Sequence, residues 1–105
     1  MNNTDGTNRF TVEIDDVLSP IVPEFLSNRR GDCALIRQLV GEGNFSEIRR
    51  LGHRMKGTGG SYGFDDISEI GEAVEEASLA ADQETILNQV QRLSDYLDRV
   101  SVVYV

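Results

Sequence analysis

The chain has a single cysteine, a single histidine, a single lysine and two prolines, and no tryptophan. Cys33 is alone, so no intrachain disulfide can form and no CxxC pair exists for metal or redox work. It reads as a buried structural thiol. One histidine without suitably spaced cysteines or carboxylates cannot complete a zinc site. Long apolar runs are missing too: no stretch approaches the length of a transmembrane helix. The opening MNNTDGTNRF has neither the basic start nor the apolar run of a signal peptide. The expected location is therefore cytoplasmic.

Positive charge is scarce as well. Against 18 acidic residues stand 10 basic ones, a net charge of −8 that disfavours nonspecific binding to nucleic acid or to an anionic membrane. At 105 residues the chain makes one small domain, which excludes a multi-domain kinase. Its 39% apolar and 27% charged residues are ordinary for a folded soluble protein. The scarce basic residues are not evenly spread. Arg49, Arg50, Arg54 and Lys56 fall within eight positions, and an acidic run of Asp65, Asp66, Glu69, Glu72, Glu75 and Glu76 follows. By themselves, such runs are what two solvated helix faces would show.

Beyond these absences, helical periodicity fills the chain. Residues 1–17 read as a tail in which Phe10, Val12 and Ile14 alternate and lie extended against the body. A first helix is expected from near Pro20, capped by Ser19, to about Val40, with Gly41 and Gly43 as its stop and Val22, Phe25, Leu26, Cys33, Ile36 and Val40 as its apolar stripe. Asn44 followed by Glu47 has the capping-box spacing, and Phe45, Ile48, Leu51, Met55 and Tyr62 then recur at helical intervals, carrying a second helix to a stop at Gly63. Asp65 or Asp66 should cap a third helix, striped by Ile67, Ile70, Val74 and Ala77 and ending near Ala81. Asp82 should cap a fourth, through Ile86, Val90, Leu93, Leu97 and Val100, after which SVVYV frays or extends. The expected fold is all-α: an antiparallel up-and-down four-helix bundle over 18–105.

The stretch LGHRMKGTGGSYGF, residues 51–64, holds the only histidine and the only lysine ahead of a cluster of glycines. It is not a Walker A loop, because Thr58 stands where the lysine after Gly57 should be, nor a dinucleotide fingerprint, because Tyr62 replaces the third glycine and no strand precedes it. On a helical wheel, at about 100° per residue, His53 lies well away from the arc of Ile48, Leu51, Met55 and Tyr62, so it faces solvent. Arg49, Arg50, Lys56, Gly57 and Gly60 share its surface. Exposed glycines inside a helix each cost up to about 1 kcal/mol relative to alanine, so Gly57 and Gly60 suggest close approach by another molecule. Gly59 falls on the apolar side, where a small residue lets helices pack closely. A neutral imidazole is nucleophilic at physiological pH, and an ammonium one turn away can hold phosphoryl oxygens.

The motif HRMKGTGGSYGF resembles that of the histidine-containing phosphotransfer domains of bacterial phosphorelays, His-x-x-Lys-Gly followed by small residues and a Gly-Phe. The likeness extends over roughly residues 19–101 and leaves only the tail unmatched. It implies that His53 is the phosphoacceptor through its outward Nε2, that Lys56 stabilises the phosphoryl group, and that Arg49, Arg50, Gly57 and Gly60 meet the partner. It further implies a phosphocarrier, not an enzyme, acting as a monomer with receiver domains of response regulators and with a hybrid sensor histidine kinase. It needs no cofactor of its own, the receiver supplying Mg²⁺. Two other classes compete: a docking adaptor of the same fold without the chemistry, and a small enzyme using His53 and Lys56 as acid and base. The second would need a cleft, which a convex helix face does not offer.

Overall fold

The structure, a computed structural model, describes residues 9–105, so the first part of the expected tail lies outside the described residues. Four helices, α1 (Val22–Gly41), α2 (Phe45–Ser61), α3 (Asp65–Leu79) and α4 (Gln83–Arg99), follow one another through short links and close into an antiparallel bundle in which α4 returns to α1. Most of their inward stripe residues are buried, among them Ile36, Ile48, Met55, Ile67, Ile70, Val74, Ile86, Val90 and Leu93, while Leu26, Phe45, Tyr62 and Val100 are partly so. Cys33 is buried with them.

The expected helix ends hold at some places and shift at others. Asn44 caps α2, its side chain accepting from the Glu47 amide, and Asp82 caps α4 in the same way through the Thr85 amide. Gly63 ends α2 in the left-handed region at φ 88°, which a residue with a Cβ adopts only under strain. Phe64 then folds back and is wholly buried.

Ser19 does not cap α1. Residues 16–18 form a 3-10 turn whose C-terminal cap is Ser19, and α1 starts only at Val22 with no side-chain cap. The reason is local: Pro23 sits in the first turn, where its missing amide proton has no partner to lose. Neither Asp65 nor Asp66 caps α3, since Phe64 occupies the cap position. Both acids instead fall in the first turn, where negative charge suits the helix dipole.

The bundle also carries a small sheet. Strand β1 (Phe10–Ile14) pairs in parallel with β2 (Val100–Tyr104), Phe10 opposite Val100 and Ile14 opposite Tyr104. Ile14 enters the core at 1% exposure, against the α2–α3 turn at Gly63, and the Phe10 ring packs 5.2 Å from that of Tyr96. No described helix is long and apolar enough to cross a membrane.

Candidate functional site

Helix α2 carries the site, and its pose depends on how tightly α3 lies against it. A Cβ added at Gly52 would stand 2.8 Å from the backbone nitrogen of Glu75, and one at Gly59 2.8 Å from that of Ser68. At Gly71, on α3, it would overlap the amide of Lys56. Real Cβ contacts do not come this close, so the two helices meet backbone to backbone through these three glycines. The sequence marked Gly59 for this role but not Gly52 or Gly71.

Close approach brings a row of α3 side chains, Ser68, Glu72 and Glu75, onto the polar face of α2. The Ser68 hydroxyl donates to the Lys56 carbonyl at 2.8 Å. Glu72 Oε2 lies 3.7 Å from Lys56 Nζ, and Glu75 Oε2 lies 3.0 Å from His53 Nδ1. His53 itself is 74% exposed, as the helical wheel requires, while the Glu75 side chain is only 18% exposed.

These contacts fix the chemistry of the ring. An ionised carboxylate can only accept, so Nδ1 must be the protonated nitrogen and donate to Glu75. In the neutral tautomer that makes this bond, Nε2 carries the lone pair. With Nδ1 turned to α3, the nucleophilic nitrogen is on the side open to solvent.

Arg49, Arg50, Ser46 and Glu75 surround His53 in a shallow depression of about 380 Å³. Arg50 is already engaged there, paired with Glu47 one turn back, and that hydrogen bond holds the Glu47 carboxyl below its usual range. Lys56 lies on the next turn, partly exposed and paired with Glu72. A Cβ at Gly57 would meet open space, and one at Gly60 only the Ser68 hydroxyl at an ordinary 3.6 Å. Neither glycine is therefore required by packing within the bundle.

Glu72 and Glu75 are the residues that sequence reasoning missed. They belong to the acidic run after Phe64, which is what a solvated face also shows, and only the three glycines betray that this face is turned to α2. Among the described residues no group of three or more histidine, cysteine or acidic side chains is arranged to hold a metal ion.

No curated protein and no solved structure gives a significant match to the chain. The family model described as Hpt domain matches residues 21–102, which takes in the whole of α1, α2, α3 and α4. The chain thus belongs to the Hpt domain family, the phosphotransfer modules of two-component phosphorelays.

Proposed function

We propose that this chain is a phosphocarrier in which His53 Nε2 accepts a phosphoryl group and exchanges it with the aspartates of response-regulator receiver domains. The observation that carries the reading is the exposed imidazole whose Nδ1 is held by Glu75. In the accepting step the Nε2 lone pair forms a bond to phosphorus while the bond from phosphorus to the receiver's aspartate oxygen breaks. The aspartate leaves as a carboxylate, and the Nδ1 proton stays on the Glu75 side.

Such a transition state is loose and close to in line, so rate comes from positioning and from neutralising charge on the equatorial oxygens. The receiver brings the acidic pocket and its Mg²⁺; this chain brings the nucleophile and Lys56. Arg49, Gly57 and Gly60 form the surface on which the receiver sits, the glycines leaving room for its backbone. The chain holds no ATP-binding motif, so the phosphoryl group comes from a receiver or a hybrid kinase.

The test is transfer of radiolabel from a panel of phosphorylated receivers. The expected adduct is acid-labile and base-stable, and His53→Gln abolishes it. Because the side chain is exposed, that substitution should change stability by less than about 0.5 kcal/mol. Label that persists in the Gln variant would assign the phosphoryl group to another residue and overturn the reading.

A further inference from the structure

Lys56 is the only lysine in the chain, and in the structure its ammonium is not waiting free for a phosphoryl group. Its recorded partner among the described residues is Glu72 Oε2, at 3.7 Å. The pairing is imposed by the backbone. Gly71 packs directly on the Lys56 amide, and the Ser68 hydroxyl holds the Lys56 carbonyl, so Glu72, next to Gly71 and one turn on from Ser68, comes within reach of the ammonium. Glu75 is engaged by His53, whereas the Glu72 carboxylate shows no partner but Lys56 among the described residues.

We propose that Glu72 is a positioning residue that competes with the phosphoryl group for Lys56, and that this competition shortens the lifetime of phosphorylated His53. The inference rests on the reading of His53 as phosphoacceptor. At 3.7 Å the pair is a charge contact beyond hydrogen-bonding distance, with both side chains about half exposed. A contact of this kind biases an equilibrium by up to about fivefold. A phosphoryl group carries a charge of about −1.5 to −2 and three acceptor oxygens, so it draws Lys56 across, but only against the pull of Glu72. The phosphorylated state is thereby kept less stable than Lys56 alone would make it. A carrier built this way gives up its phosphoryl group more readily.

The experiment uses the full chain and phosphoramidate as phosphodonor. The donor reacts as ⁺H₃N–PO₃²⁻: the Nε2 lone pair forms the new bond to phosphorus, and ammonia departs with the electron pair of the broken P–N bond. Two quantities are read, the half-life of phosphohistidine and the ionisation of the bound phosphoryl group followed by ³¹P NMR. Glu72→Gln should lengthen the half-life about threefold and move the phosphoryl ionisation to lower pH, since Lys56 then answers to the phosphoryl group alone. In a Lys56→Ala background the same substitution should change neither.

An unchanged or shorter half-life in Glu72→Gln, with wild-type protein phosphorylated on His53, would overturn the inference and leave the phosphocarrier reading standing. An effect of equal size in the Lys56→Ala background would also overturn it, because Glu72 would then act directly on the phosphoryl charge. Failure of the wild type to form phosphohistidine, with phosphoramidate or with phosphorylated receivers, would overturn both. A purely structural Glu72 would move the melting temperature and leave the phosphoryl ionisation where it was.

Discussion

On the proposed reading of His53 as phosphoacceptor, one carboxylate decides which of its nitrogens takes the phosphoryl group. With Glu75 accepting from Nδ1 at 3.0 Å, ¹⁵N NMR of the neutral ring should show Nδ1 bearing the proton and Nε2 bearing the lone pair. Glu75→Ala should mix the two tautomers and slow phosphorylation several-fold, with phosphotransfer from a receiver as the second measurement. A wild-type ring protonated on Nε2 would contradict the account. His53 and Lys56 were legible because they stand out by scarcity and by their angle on the helical wheel. Glu75 was not, because its contact spans 22 positions and depends on the spacing of two helices, which no local pattern encodes. Arg29 escaped for the opposite reason. It occupies a position of the apolar α1 stripe and is buried there, 5.0 Å over the Phe25 ring, with Nη1 donating to Thr58 at 3.3 Å and Nε 2.9 Å from Asp32 but out of line for a hydrogen bond. A long stem with a charged tip can fill a place that periodicity reserves for leucine.

The glycines of α2 and α3 fall into two physical kinds, and substitution separates them. Gly71→Ala forces backbone to move, since the added methyl meets the Lys56 amide, and should destabilise by about 1–3 kcal/mol in urea unfolding. Gly57→Ala adds a methyl to open space and should stabilise by up to about 1 kcal/mol through helix propensity. Equal effects at the two positions would mean that the interhelical contact is looser than described. The helices themselves were readable, each from an apolar stripe and the first two also from glycine stop signals. Two of the expected caps failed where a competing feature took the position: Pro23 delayed the start of α1, and Phe64 displaced the acids that follow it. Propensity names good capping residues, but the chain path into the helix decides which residue stands at the cap.

The alternation of Phe10, Val12 and Ile14 revealed an extended segment but not its partner, which lies some 90 positions away in β2. Nothing local in VSVVY indicates pairing with the other end of the chain, or that the pairing is parallel. Ile14 is the anchor of that arrangement, at 1% exposure against Gly63. Ile14→Ala should destabilise the protein by about 2–5 kcal/mol, measured by chemical denaturation, while leaving His53 phosphorylation of the folded fraction intact. A change below about 0.5 kcal/mol would show that the strand only rests on the bundle.

The parallel clasp between β1 and β2 also imposes an order of events on biosynthesis. β1 leaves the ribosome before α1–α4, yet its backbone partners lie in residues 100–105, so it must stay unpaired until these four helices have been made. The local helical contacts can form as the chain emerges, whereas this contact closes the longest loop in the fold. The clasp is accordingly the last piece of the fold to be fastened, and it seats Ile14 over a bundle whose helices have already emerged.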